Sequence, residues 1–328
     1  MPDWLLLTIG LVLLLGGGEA VVRGAASLAR SFGISDLAIG LLIVAFGTSA
    51  PELAVNSTAA FAGESDLSFG NIIGSNMANV GLVVGFCALL RPLRIDSLVV
   101  SREIPMMLLA TVVTIVMAAD FQLDGGVARF DRSDAILMFL FFCVFLYYTV
   151  GELIRQRPDH PTLEELVSSE LPGAGPHVTF ARDALVTLSG FGALLYGASL
   201  TVDAAVGLAR SFGVPEVVIG ISIVAIGTSL PELATGLMAT LRGHMEIAIG
   251  NVIGSNIFNL LFVLSVTVFI HPLDVPPLGL LDLGIAAALS LALLAVSLTA
   301  GRRILRAEAG VLILLYLSYA TWRSMTSA

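Results

Sequence analysis

Residues 47–54 read GTSAPELA and residues 227–234 read GTSLPELA, each inside an apolar run long enough to cross a bilayer core, which takes roughly 20 residues of helix. In each copy a proline, Pro51 or Pro231, directly precedes a glutamate, Glu52 or Glu232. Proline has no N–H and clashes with the carbonyl four residues back, so the carbonyls of Gly47 and Gly227 lose their helical partners and the helix breaks there. Beyond the break, Thr48 or Ser49 can cap a new half-helix with Pro51 and Glu52 in its first turn, and residues 228–232 repeat that grammar. Before the break, unwinding aims the carbonyls of residues 45–48 and 225–228 into the protein interior, together with a negative helix end. No arginine lies mid-span beside either glutamate. A charge at the bilayer centre costs at least ~2.5 kcal/mol on insertion scales, so an unpaired acid there is read as functional.

The two motifs belong to a longer internal repeat. Residues 27–85 align without a gap on 207–265 at a constant offset of 180, with 28 identities in 59 positions. The matches include LARSFG at 28–33 and 208–213, and GNIIGSNMAN at 70–79 against GNVIGSNIFN at 250–259. Shared hydrophobicity does not produce such polar identities, so the halves are related.

Composition sets the solvent. Of 328 residues 57% are hydrophobic and only 12% charged, about half of what a soluble domain uses to cover its surface. The chain is therefore expected in lipid. Its net charge of −9 speaks against nucleic acid as a partner. Cys87 and Cys143 lie in apolar runs and are read as buried small hydrophobes rather than disulfide or metal cysteines. Asp3 and the absence of a basic residue ahead of the first apolar run differ from a cleaved signal peptide, so the first helix is expected to stay.

Hydropathy predicts ten spans, near 4–22, 36–61, 68–90, 104–119, 135–152, 184–206, 215–241, 246–270, 278–299 and 309–322. With the amino terminus outside, 12 of the 16 arginines fall on the cytoplasmic side and only Arg129, Arg132, Arg210 and Arg323 outside, as the positive-inside rule requires. Both termini are then outside. Five spans per half is an odd number, so the second half enters the membrane inverted. The expected fold is an all-α integral membrane protein of about ten transmembrane helices, two inverted five-helix repeats with broken core helices. The N-terminal repeat covers 1–152, a polar proline-containing cytoplasmic linker 153–183, and the C-terminal repeat 184–328. Inverted repeats with interrupted helices are an architecture of secondary transporters, whose sites lie at the repeat interface near the midplane.

The third span carries Asn71, Ser75 and Asn79, and the eighth Asn251, Ser255 and Asn259, each set spaced by four and so stacked on one helix face. Asn76 and Asn256 lie close to that face. These residues could simply glue helices together, since Gly70, Gly74, Gly250 and Gly254 permit close approach. Helix contact alone needs neither an acid nor the same polar set twice, and Asn71 and Asn251 are the members that a structural role explains best. Glu19 and Arg23, four apart, read as a local ion pair. The sequon at Asn56 lies within a span and is discarded as a glycosylation site.

The oxygens available mid-membrane are the carboxylates of Glu52 and Glu232, the hydroxyls of Thr48, Ser49, Ser75, Thr228, Ser229 and Ser255, the amides of Asn79 and Asn259, and backbone carbonyls. With no sulfur or imidazole among them, the site suits a hard cation; Ca²⁺ takes about 6–8 oxygens, whereas transition metals prefer His or Cys. Two carboxylates match one divalent charge and can also be neutralised by Na⁺ or protons. Competing cations could therefore occupy one site in turn.

At GTSAPEL…GNIIGSNMAN and GTSLPEL…GNVIGSNIFN the chain resembles the cation/Ca²⁺ exchanger superfamily, especially the microbial sodium/calcium exchangers, across both halves. The resemblance implies that Glu52 and Glu232 hold Ca²⁺ with the backbone oxygens of Thr48 and Thr228. It implies flanking Na⁺ positions formed by the carbonyls of Ala45 and Ala225 with Ser49, Ser75, Ser229 and Ser255. Asn79 and Asn259 match the middle of the site, where some members carry Asp and this chain carries two amides. The large cytoplasmic Ca²⁺-sensing region of animal members has no counterpart in the short linker.

The expected activity is Ca²⁺ for Na⁺ antiport by alternating access, with spans one and six moving against a core of spans two, three, seven and eight. Proton-coupled or K⁺-dependent exchange is the nearest alternative, and a passive cation channel a more distant one. No nucleophile–base pair or phosphate loop points to an enzyme, and no cofactor is expected. The partners are the transported ions and the lipid bilayer; the oligomeric state is left open.

Overall fold

Residues 3–32 contain three glycines spaced by seven, Gly10, Gly17 and Gly24, and they decide how the first helix is paired. In the computed structural model, which describes residues 2–120, 127–155, 176–213 and 227–326, α1 (Asp3–Phe32) lies antiparallel to α7 (Pro176–Ser211). Gly10 faces Thr201, Gly17 faces Leu194 and Gly24 faces Thr187. A Cβ at Gly17 would come 2.4 Å from the backbone nitrogen of Leu194, so only glycine permits this approach. Near one end of the pair Ser27 donates to the Asp183 carboxylate at 2.5 Å.

The predicted second span is two helices. Ser35 caps α2 (Asp36–Thr48) by accepting from the N–H of Ala38 at 3.3 Å, and the helix widens into a π turn at Gly40–Val44. It stops at Ser49 (φ −84°, ψ 7°), and α3 (Ala50–Ala62) leaves at a bend of 42°, with Pro51 and Glu52 in its first turn. The break predicted from Pro51 is present. Gly63 (φ 75°) ends α3, with its N–H on the carbonyl of Ala60 and that of Glu64 on Ala59. The second copy closes alike: Ser229 (φ −88°, ψ 2°) precedes α8 (Leu230–Arg242), and Gly243 (φ 86°) ends it with bonds to Thr240 and Ala239. The stretch 214–226 that precedes this copy, including Ala225, lies outside the described residues.

Of the described long apolar helices, the two that come after α3 and α8 are the most enclosed. In α4 (Ser65–Leu90) and α9 (Met245–Ile270) 83% and 78% of the most apolar window is buried, against 33% in α1. They form the centre, and α1, α5 (Val99–Ala118), α6 (Arg132–Arg155), α7 and α10 (Gly279–Leu298) turn apolar side chains such as Val12, Val116, Leu140 and Leu188 outward. Both central helices carry a π turn that begins at the asparagine singled out by the repeat, at Asn79–Val84 and Asn259–Val263. Where α9 meets α6, Phe258 stacks on Phe262 and Phe142 meets Phe258 edge-on. Cys87 is buried as expected; Cys143 is exposed, because it falls on the outward face of α6.

Two short ribbons tie the loops together. Leu93–Arg94 pairs antiparallel with Arg303–Ile304, and Arg129–Phe130 with Leu273–Asp274. Leu93 and Leu273 stand 180 residues apart, so the repeat offset persists beyond the aligned block.

Among the described residues, seven helices are long and apolar enough to cross a membrane, eight if the bent α2–α3 pair is one span. The chain is thus an all-helical integral membrane protein. The predicted last span is a helix, α11 (Arg306–Thr326), but it falls outside that count: Ser318, Thr321 and Arg323 make its second half polar, and Arg323 bonds to Asp282. Helix also extends into both ends of the 153–183 stretch, to Arg155 and from Pro176; residues 156–175 lie outside the described residues.

Candidate cation site

Glu52 and Glu232 are both fully buried, in the first turns of α3 and α8, which pack on the central helices. Each takes a hydrogen bond from the serine of the central helix in its own half: Ser75 to Glu52 Oε1 at 3.0 Å, and Ser255 to Glu232 Oε1 at 3.5 Å. Ser49 crosses between halves to donate to Glu232 Oε1 at 3.3 Å. Ser229, its counterpart, donates instead to Ser75 Oγ at 3.1 Å. The capping role expected of Thr48 or Ser49 is not taken: neither Ser49 nor Ser229 caps its half-helix through the side chain. The hydroxyls are drawn across to polar partners that exist only once the halves are assembled.

The threonines follow the two-fold rule closely. Thr48 Oγ1 donates to Asn251 Oδ1 and Thr228 Oγ1 to Asn71 Oδ1, both at 3.0 Å. Asn71 and Asn251, which helix contact alone seemed to explain, therefore hold the hydroxyls of the motif threonines. The sequence hint was present, since both lie on the serine face.

One expected backbone ligand differs. The carbonyl of Ala45 accepts the helical N–H of Ser49 at 3.0 Å and lies 3.3 Å from the Thr48 hydroxyl, whose single proton goes to the nearer Asn251 Oδ1; in this conformation one lone pair of the carbonyl is engaged in the helix. A turn of helix persists through Ala45–Thr48 because the proline removes partners only from Gly47 onward.

Among the described residues, the buried oxygens without a hydrogen-bond partner include Glu52 Oε2, Glu232 Oε2, Asn79 Oδ1 and Asn259 Oδ1; Asn56 Oδ1, Ser68 Oγ and Thr235 Oγ1 are also without one but have no repeat counterpart in that state. The first four form two symmetry-equivalent pairs, and all four residues are fully buried. A buried acceptor left unmade costs about 1–3 kcal/mol, more if charged. Of the four residues, Glu52, Asn79 and Asn259 are joined through Ser75 and through Asn76 and Asn256, and as hard oxygen donors the four fit a cation with no further ligand type needed. Within the described residues no group of three or more His, Cys, Asp or Glu converges, so the donors beyond the carboxylate pair are hydroxyl and amide oxygens. The structure thus gathers Glu52, Glu232, Thr48, Ser49, Ser75, Ser229, Ser255, Asn79 and Asn259 at the centre. Thr228 sits at their edge, half-buried.

Away from this centre, Glu19 bonds to Arg23, as the sequence suggested, and also to Arg242, whose Nε donates at 2.8 Å. The second partner lies 223 residues away and has no sequence signal.

An integral membrane protein with a buried carboxylate pair and an all-oxygen donor set is the class that fold and site define. The chain belongs to the sodium/calcium exchanger protein family, whose match covers residues 3–151 and 183–325. It is 41% identical to CaxA of Alkalimonas amylolytica over 315 residues, covering 95% of each chain. It is 32% identical to the sodium/calcium exchanger MaX1 of Methanosarcina acetivorans, covering 97% of each. Among solved structures it is similar to the sodium-calcium exchanger NCX_Mj soaked with 10 mM Na⁺ and zero Ca²⁺. That match has a TM-score of 0.82 and 28% identity over 97% of this chain and 98% of the other.

Proposed function

We propose that this chain is a secondary active antiporter that exchanges Ca²⁺ for Na⁺ across the cytoplasmic membrane of a prokaryotic cell. The observation that carries the proposal is the set of four unpartnered buried oxygens on Glu52, Glu232, Asn79 and Asn259. Glu52 and Glu232 supply the charge for Ca²⁺, with the backbone oxygens of Thr48 and Thr228. Ser49, Ser75, Ser229 and Ser255, with the carbonyls of Ala45 and Ala225, serve the flanking Na⁺ positions. The Ala45 carbonyl does this with the lone pair that its bond from the N–H of Ser49 leaves over.

The architecture in this reading is ten spans in two inverted five-helix repeats, 1–152 and 184–328, joined by a cytoplasmic connector. The constant offset of 180, the matched starts of α3 and α8 after Ser49 and Ser229, and the matched ribbons at Leu93 and Leu273 support it. The ribbons also support the span count, since each joins two loops that the ten-span reading places on one side. The tightly joined α1 and α7 move as a unit against the core, exposing the site to each side in turn. With three Na⁺ per Ca²⁺, one net charge crosses per cycle, worth about 2.3 kcal/mol per 100 mV.

Proton or K⁺ coupling is the second reading, favoured by one feature: both middle positions, Asn79 and Asn259, are amides. Flux from proteoliposomes distinguishes the two. Ca²⁺ uptake driven by an outward Na⁺ gradient, with no uptake under K⁺ or pH gradients alone, is expected. Uptake driven only by a pH or K⁺ gradient would replace Na⁺ coupling by the second reading.

A further inference from the structure

The unpartnered oxygens of Asn79 and Asn259 owe their orientation to two residues outside the proposed ligand set. Asn76 and Asn256, on α4 and α9, donate reciprocally to each other's backbone carbonyls: Asn76 Nδ2 to Asn256 O at 3.3 Å, and Asn256 Nδ2 to Asn76 O at 3.2 Å. A backbone carbonyl only accepts, so the atom of each side chain that faces it must be the NH₂ group. The other atom of each is then an oxygen. Asn259 Nδ2 donates to Asn76 Oδ1 at 3.2 Å, and Asn79 Nδ2 to Asn256 Oδ1 at 3.0 Å. An oxygen at those positions takes only a donor, so Asn259 and Asn79 must present their nitrogens there and keep their own oxygens free. The free Asn259 oxygen belongs to an amide whose nitrogen also reaches Ser75 Oγ at 3.4 Å, beside the Ser75–Glu52 bond. Asn76 and Asn256 are 4% and 2% exposed, so water does not compete for these bonds.

The geometry points to Asn76 and Asn256 as positioning residues that lock the amides of Asn259 and Asn79 oxygen-first toward the transported cation. The assignment rests on the cation-site reading above and adds to it the device that keeps the middle ligands oriented. Two backbone carbonyls, which cannot change role, fix four side-chain amides in succession across the interface of the halves. Without Asn76, only the longer bond to Ser75 Oγ at 3.4 Å distinguishes the two ends of the Asn259 amide, which can then turn its NH₂ group inward, where it repels a cation.

A double-mutant cycle on the full-length protein in proteoliposomes tests this, with Ca²⁺ as the varied ion in Na⁺-driven uptake. Asn76→Ala is expected to raise the KM for Ca²⁺ about tenfold, the equivalent of about 1.4 kcal/mol, while Vmax changes less. In an Asn259→Ala background the same substitution is expected to change KM by less than about twofold, because the amide it orients is gone. Asn256→Ala, cycled against Asn79→Ala, repeats the test from the other half and replaces the first cycle if Asn76→Ala does not elute as folded protein on gel filtration. An unchanged KM in folded Asn76→Ala overturns the assignment. So does a full tenfold effect that persists without Asn259, since the residue would then act by helix contact alone. Glu52→Gln separates the two layers: if it loses uptake while the cycle is additive, only the positioning role falls. If it transports like the wild type, the carboxylate site falls and the positioning role with it.

Discussion

The first-half motif and its second-half copy share their residues but not their bonds. In both, threonine hydroxyls bond the first asparagine of the opposite central helix at 3.0 Å, and both glutamates keep one oxygen unpartnered. The serines part company. Ser75 is a junction: it donates to Glu52 and accepts from Ser229 and Asn259. Ser255, its equivalent, makes two long contacts, 3.5 Å to Glu232 and 3.4 Å to Thr48. Glu232 therefore receives hydroxyls from both halves, and Glu52 from its own half only. A two-fold pseudo-axis in the sequence thus leaves a site whose sides are unequal in this conformation, as a transporter alternating between two unequal states requires.

The largest effect should leave the two sides indistinguishable. Glu52→Gln and Glu232→Gln each remove one of two charges that balance a divalent ion, so each is expected to reduce Ca²⁺ exchange more than about a hundredfold while the protein stays monodisperse. Vesicle flux measures this, and a surviving exchange in one variant would assign the charge to a single side. The serines should then separate the halves. Ser75→Ala loses a junction of three bonds, each worth about 0.5–1.5 kcal/mol, and is expected to raise the KM for Ca²⁺ or Na⁺ about tenfold. Ser255→Ala, with only long contacts, should raise it about two- to threefold. Equal effects would mean that the serines become equivalent during transport. The smallest difference is expected between Ser49→Ala and Ser229→Ala. Ser49 bonds a carboxylate, and charge-assisted bonds are roughly twice as strong as neutral ones, so its loss should weaken transport about threefold and that of Ser229 less. A reversed order would place the Ser229 hydroxyl on an ion.

Much of this was readable before any coordinates. Pro51 and Pro231 announce the breaks because a missing N–H acts locally, whatever surrounds it. Glu52, Glu232, Ser75 and Ser255 stand out because polarity inside an apolar span is costly enough to need a reason. The seven-residue spacing of Gly10, Gly17 and Gly24 was also there to be seen, as a signal for close helix contact, and it marks the face on which α1 meets α7. By contrast, Asn76 and Asn256 sit one position off the i, i+4 face and look peripheral on a helix wheel. Their role needs a backbone carbonyl from a helix 180 residues away. Likewise the Ala45 carbonyl looked free on the strength of Pro51, yet the N–H of Ser49 closes the turn on it.

Sequence alone determined that this is a membrane protein with two related halves, where proline must interrupt a helix, and which acids and amides fall inside its apolar runs. Those properties follow from local rules, since hydropathy, proline geometry and the repeat offset act along the chain. Only the tertiary structure decided which oxygens are left without a partner and which hydroxyls cross between halves. It also decided how the four central asparagines orient one another, because a side-chain amide has two chemically different ends and only its neighbours in space can choose between them.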